Sequence, residues 1–418
     1  MKIRNFIYVL FSLAFLFSCS DENLPSNNLP LANMQKPNPN NRIDMAEAIN
    51  LVEEAIAFLD REHPSESKSS RAVNSVSILR FGDLKSSMMK SGEYRSFDIS
   101  DTLAYIFNFG DSSGYVIISN DARIESPLLA FTENGSLVNG KTDNPGLKIF
   151  LERLEGYVLE SIAKSGKSDD QKAIAVARKG AYSGPLDTIV RPLVTVEWRQ
   201  GEPFNNNLEH KNCSTDNGRV LAGCAATAIA QIMSYWEYPA SLGGFTYHWT
   251  SLKKYKHGSD FEQSPTDDLA ERVRKALARI EVADLFQQIG IGVKMDYSDG
   301  CNGSNAAPEK VLAFLASKGF KLSGDLIDFN LASVKPHLQA HRPLIATGCA
   351  SNNAKGKACH GWVIDGLATG TNSLSYYLHN NWGLSSGNGY FPSSVFDPIY
   401  GFHQYLVFQD VKFSAVYR

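Results

Sequence analysis

The sequence predicts an α+β protein built as two successive units, and three observations support this. Along residues 43–164, segments with helical apolar spacing alternate with short apolar runs of strand length. A polar stretch with little to bury, Ser165 to Pro185, then interrupts the pattern. Beyond it, residues 186–418 are rich in Trp, Tyr, Gly and short strand-like runs, and are numerous enough to bury a core of their own.

The 418 residues are 43% hydrophobic and 20% charged, a globular balance. A net charge of −3 offers nucleic acid no electrostatic footprint. Heptads, zinc-type Cys/His spacing, a phosphate loop and internal repeats are absent from the sequence, so neither a metal nor a cofactor is implied.

The N-terminus reads as a targeting segment. Lys2 and Arg4 precede the apolar run Phe6–Phe17, which is too short to span a bilayer but suits a signal peptide. The run ends in Leu16-Phe17-Ser18-Cys19, which resembles the lipobox of bacterial lipoproteins. That implies cleavage of 1–18, lipidation of Cys19 and anchoring to the bacterial outer membrane. An ordinary secretory signal is the alternative. Ser20-Asp21-Glu22-Asn23 resembles a surface-export signal, and residues 19–42, rich in Asn and Pro, read as a flexible tether.

Residues 43–185 form the first unit. Residues 44–61 place Ala46, Ile49, Val52, Ala55, Ile56 and Leu59 at helical spacing. Strands are expected at Val76–Phe81, Leu103–Phe109 and Tyr115–Ser119. A second helix over 144–163 carries Leu147, Phe150, Leu151, Leu154, Val158 and Ile162 on one face. The stretch Ser165–Pro185 is open to proteolysis, with Arg178 and Lys179 as cleavage positions.

The second unit carries the chemistry. Cys224 opens the helical pattern Gly223-Cys224-Ala225-Ala226-Thr227-Ala228, which Pro239 ends. A helix N-terminus lowers a thiol pKa, and the thiolate is the nucleophilic form. His360 opens an apolar strand 136 residues later and is the candidate base. Other histidines, His379 included, read as structural. In His379-Asn380-Asn381-Trp382-Gly383, an amide could orient the imidazole and an indole could shield that bond from water. Gln200, in Trp198-Arg199-Gln200-Gly201, could join the Cys224 N–H as an oxyanion donor. Export permits disulfides. Setting Cys19 and Cys224 aside leaves Cys213, Cys301, Cys349 and Cys359, for which three full pairings are possible. A hairpin would set Cys349 opposite Cys359, the favoured pair; free thiols are the alternative.

Taken together, Trp-x-Gln-Gly, Pro203-Phe204-Asn205, Gly-Cys-x-Ala-Thr-Ala-x-Ala-Gln-Ile-Met, His-x-x-Val-Ile-Asp-Gly and Asn-Trp-Gly resemble the streptopain family of bacterial cysteine peptidases. Residues 105–130, with Phe107-Asn108-Phe109-Gly110, resemble that family's propeptide. The resemblance implies a zymogen: an α+β prodomain followed by a papain-like domain of a helical and a β-rich half, with the site between the halves. It implies Cys224 as nucleophile, His360 as base and acid, Gln200 as oxyanion donor, and Asn381 and Trp382 as supports of the histidine. It also implies protein or peptide substrates, the propeptide as internal inhibitor, and preference for an apolar residue two positions before the scissile bond. Two departures bear on loop shape: Arg199 replaces a glycine, and Leu384-Ser385-Ser386-Gly387 replaces Trp-Gly-Gly. The rival readings are a Cys/His acyl transferase or amidase, such as a transglutaminase, and a non-catalytic surface protein.

Overall fold

The structure is a computed structural model that describes residues 41–62, 71–84, 100–124, 126–165, 186–323, 327–349, 359–370, 375–384, 386–396 and 402–408. The signal segment, Cys19, almost all of the tether, Arg178 and Lys179 lie outside the described residues.

The first unit comprises α1 (Met45–Glu62), β1 (Val73–Arg80), β2 (Thr102–Phe109), β3 (Tyr115–Ser119), β4 (Leu128–Thr132) and α2 (Pro145–Ser165). All six residues expected on the inner face of α2 are buried. The inner face of α1 is rotated from the expected one. Ala48, Leu51, Val52, Ala55, Phe58 and Leu59 are buried, whereas Ile49 is 44% exposed. The two stripes share Val52, Ala55 and Leu59. Turning Phe58 and Leu51 inward hides more apolar area than Ile49 and Ala46 offer, and burial of such side chains is worth about 1.5–3 kcal/mol each.

The second unit begins with β5 (Asp187–Val190) and continues through α3 (Cys224–Trp236), the short hairpin β6 (Ser241–Leu242) and β7 (Phe245–Thr246), α4 (Trp249–Leu252), α5 (Leu269–Gly292) and α6 (Pro308–Ser317). Its sheet half holds β8 (Lys321–Leu322), β9 (Ile327–Asp328), α7 (Leu331–Gln339), β10 (Leu344–Cys349), β11 (Cys359–Thr369), β12 (Tyr376–Asn381), β13 (Gly389–Pro392) and β14 (Phe402–Phe408).

Both units share one sheet. Among the described residues its order is β1-β2-β3-β4-β13-β12-β11-β10-β14-β8, with β5 also on β11 and β9 on β14. The junction is antiparallel, with Gly389 opposite Thr132 and Tyr390 opposite Phe131. The rings of Phe131 and Tyr390 stack 5.0 Å apart, with Phe58 of α1 edge-on to both. On the other face α2 packs between the two parts of the sheet, Phe150 meeting Phe391 at 4.8 Å. A separate core fills the helical half around Trp198, Phe204, Ile229, Met233 and Phe286, and reaches Ile345 and Val363 of the sheet.

Each half of this unit carries a disulfide. Cys349 and Cys359 face one another across β10 and β11 and are bonded, as the hairpin reading favours. Cys213 is bonded to Cys301.

Candidate active site

Helix α3 starts at Cys224 because the chain turns sharply just before it. Gly223 has φ +91°, and a Cβ there would fall 2.8 Å from the Ser304 carbonyl oxygen and 2.9 Å from Met295 Sδ. Only glycine fits that corner. The helix ends at Glu237, whose left-handed conformation lets its N–H cap the carbonyls of Met233 and Ser234. From Ala226 to Ser234 the helix is buried, wedged between β11 and the rest of the helical half.

Cys224 is the one free cysteine among the described residues and is partly exposed. Burial pushes its thiol pKa up, but the hydrogen bond and charge of His360 and the N–H groups of Gly361 and Ala225 outweigh burial, and the net shift is downward. Strand β11 presents His360 to the thiol, while the neighbouring Gly361 leaves space: a Cβ there would stand 4.0 Å from Sγ.

The second imidazole nitrogen settles the tautomer. His360 Nε2 lies 2.9 Å from the carbonyl oxygen of Trp382. A carbonyl only accepts, so Nε2 carries the proton of the neutral ring and Nδ1 is the nitrogen left available to a second partner. The expectation that the Asn381 side chain holds the imidazole is therefore corrected. Its Nδ2 donates to the Val196 carbonyl at 2.9 Å, and its Oδ1 accepts from Gln231 Nε2 at 3.0 Å and from the Gly383 N–H at 3.2 Å. Asn381 shapes the turn whose next residue supplies the acceptor.

Trp382 is buried, with its indole N–H donating to the Gly387 carbonyl at 2.9 Å and its backbone N–H to Asn388 Oδ1 at 3.0 Å. Its ring lies 5.0 Å from that of Trp362, which in turn lies parallel to the His360 ring. Trp362 was not singled out from sequence, where it reads as one more apolar strand residue. Gln200 is buried, and its carbonyl accepts the Ala222 N–H at 2.9 Å, tying the Trp-Arg-Gln-Gly segment to the approach to Cys224.

The first unit closes over this arrangement. Gly146, in the first turn of α2, packs so tightly that a Cβ would meet Trp382 Cε3 at 2.2 Å and His360 Cδ2 at 2.9 Å. Asn134 Oδ1 accepts from the N–H groups of Gly387 and Asn388, and Asn144 Nδ2 donates to the Ser386 carbonyl. The turn that holds Trp382 is thus itself held by the first unit.

Sequence reasoning missed a second titratable cluster. His379 Nδ1 lies 2.6 Å from Asp365 Oδ1, and Nε2 lies 3.2 Å from Glu133 Oε1 of the first unit. Asp365 also accepts the Val194 N–H at 2.8 Å. Burial alone would lower the His379 pKa, but the two carboxylates reverse this and push it up to about 10.

A family model described as the peptidase C10 family matches residues 198–391, and one described as Spi protease inhibitor matches residues 40–158. Streptopain of Streptococcus pyogenes is 26% identical over 338 residues, covering 72% of this chain and 76% of its own length. The thiol protease/hemagglutinin PrtT of Porphyromonas gingivalis is 22% identical over 324 residues, covering 71% of this chain and 35% of its own. Among solved structures, a fragment of prointerpain A from Prevotella intermedia covers 74% of this chain and 96% of its own, with a TM-score of 0.49 and 21% identity.

Proposed function

We propose that this chain, a cysteine-type endopeptidase similar over residues 198–391 to the peptidase C10 family and preceded by a propeptide-like inhibitor domain, uses Cys224 and His360 as its catalytic dyad. The observation that carries the assignment is the placement of the Cys224 thiol, at the start of α3, beside the His360–Gly361 start of β11, with an imidazole whose Nε2 is committed to the Trp382 carbonyl. The thiolate sulfur attacks the scissile carbonyl carbon, forming a C–S bond as the π electrons move onto oxygen. The Cys224 N–H and the Gln200 amide receive that oxyanion; such a donor is worth about 3–4 kcal/mol in the transition state. Collapse breaks the C–N bond while His360 Nδ1 gives its proton to the leaving amine. Water then attacks the thioester, its proton passing to His360, and the acid product leaves with the thiol restored.

The first unit keeps the enzyme latent by covering the His360–Trp382 edge of the site through Gly146 and by gripping the 386–388 turn. Cleavage within 165–185 releases it. The preference for an apolar residue two positions before the scissile bond rests on the motif resemblance. The lipobox-like Leu16-Phe17-Ser18-Cys19 supports export and anchoring through lipid on Cys19 to the bacterial outer membrane.

Cys224→Ala is expected to abolish casein digestion, and labelling by an epoxide thiol reagent, with the fold unchanged. A Cys224→Ala protein that still digests casein refutes the dyad. Cys19→Ser is expected to move the protein from the membrane to the soluble fraction at equal activity per molecule. Wild-type protein found unlipidated in the medium replaces the anchor with an ordinary secretory signal. Peptides with Ile or Asp two positions before the scissile bond test the subsite, and equal kcat/KM for both removes the preference.

A further inference from the structure

Gln231 lies on α3 seven residues beyond Cys224, two helical turns along, so the two side chains project from nearly the same face of the helix. It is fully buried. Its single NH₂ group donates twice, at 3.0 Å to the Trp198 carbonyl and at 3.0 Å to Asn381 Oδ1. Each acceptor leads to a different part of the site. Trp198 stands two residues before Gln200, the oxyanion donor. Asn381 stands one residue before Trp382, whose carbonyl holds His360 Nε2. The carboxamide oxygen has no hydrogen-bond partner, so the residue is kept buried for its two donors.

We propose that Gln231 is the positioning residue that sets nucleophile, oxyanion donor and histidine in one geometry, because its side chain ties the helix bearing Cys224 to both of the segments that carry the other two. Hydrogen bonds made by one rigid amide leave the three groups little freedom to drift independently, and a displacement of about 1 Å at a reacting centre can cost on the order of 100-fold in rate. The chemistry demands an amide. A methionine fills the same volume without donating. A glutamate turns lone pairs toward two acceptor oxygens, and only its protonated form regains one of the two bonds.

This inference rests on the Cys224–His360 assignment, and the experiment separates the two. Full-length protein is expressed, processed, and assayed with a peptide substrate across pH 5–9. Gln231→Met is expected to lower kcat about 10- to 100-fold with KM changed less than threefold. It is also expected to shift the pH midpoint of iodoacetamide alkylation of Cys224 upward, because His360 no longer holds the thiolate. Gln231→Glu is expected to regain activity as pH falls, a slope that wild type lacks. A folded Gln231→Met enzyme with wild-type kcat and an unchanged alkylation midpoint overturns the proposal, and an inert Cys224→Ala control shows that the dyad itself stands. Should Gln231→Met not fold, Asn381→Ala removes one acceptor only. A wild-type kcat there overturns the proposal equally, and a fall in kcat at constant KM supports it.

Discussion

Gly146 in the first unit and His360 in the second approach so closely that one added methyl group on the glycine would stand 2.9 Å from the imidazole Cδ2. The contact covers the edge of the imidazole and leaves Cys224 partly exposed. Latency on this reading is occlusion of a dyad already assembled, so loosening the cover should by itself release activity.

Gly146→Val should therefore weaken docking of the first unit. Overpacking of this kind costs about 1–3 kcal/mol, which converts to roughly 5- to 150-fold in the open population. The expected outcome is faster labelling of Cys224 by an epoxide thiol reagent in the uncleaved precursor, followed over time by mass spectrometry. An unchanged labelling rate in a folded variant removes Gly146 from the latency mechanism.

The ion cluster at His379 gives the precursor a pH dependence with a definite sign. The His379 pKa is raised from 6.5 to about 10 in the folded precursor. A raised folded-state pKa contributes stability that is complete below the unfolded value and lost as pH rises through the folded one. The window is therefore about pH 6.5–10. Melting temperatures of the Cys224→Ala precursor should fall across that window. Glu133→Gln removes one of the two carboxylates that raise this pKa, and should cost about 1–3 kcal/mol near neutral pH and flatten the slope. Parallel curves for the two proteins would contradict the assignment.

The thiol of Cys224 titrates below its ordinary value because His360 and two backbone N–H groups favour the thiolate against the opposing effect of burial. Alkylation of processed enzyme by iodoacetamide should persist to lower pH than for a free cysteine. His360→Ala should move the midpoint upward and lower kcat/KM at least about 1,000-fold, nucleophile and base acting as a unit. A midpoint that His360→Ala leaves in place would separate the two residues.

The two disulfides differ in the length of chain they close. Residues 88 apart are joined by Cys213–Cys301, but only 10 apart by Cys349–Cys359. In the loop-entropy model the first contributes about 4–5 kcal/mol and the second about 3. Replacing both cysteines of the 213–301 pair by serine should lower the denaturant midpoint more than the same change at 349–359. The reverse order would show that native-state contacts near Cys359, the neighbour of His360, outweigh chain entropy.

What was legible in the sequence was local. The inner face of α2 follows from a 3.6-residue period, and β3 begins and ends where its apolar run does, because each depends on neighbours in the chain. Cys224 and His360 stood out as candidates for the same reason. A small-residue helix start activates the thiol, and a strand start presents the imidazole. The inner face of α1 was misjudged because two overlapping stripes differ only in which partners bury them.

The amino-acid order by itself pointed to α2 and β3 and to Cys224 and His360 as the candidate nucleophile and base. Tertiary structure decided what holds and covers them. The acceptor for His360 Nε2 is a backbone carbonyl, which every residue owns and no motif marks. Glu133 and His379 meet because β4 pairs with β13 beside β12, and Gln231 matters because Trp198 and Asn381, from distant parts of the chain, both reach its amide. Periodicity reports forces between neighbours along the chain. Burying a charge or an amide is offset by partners that can lie far along the chain, as Asn381 does from Gln231 and Glu133 from His379, and only the closed fold identifies them.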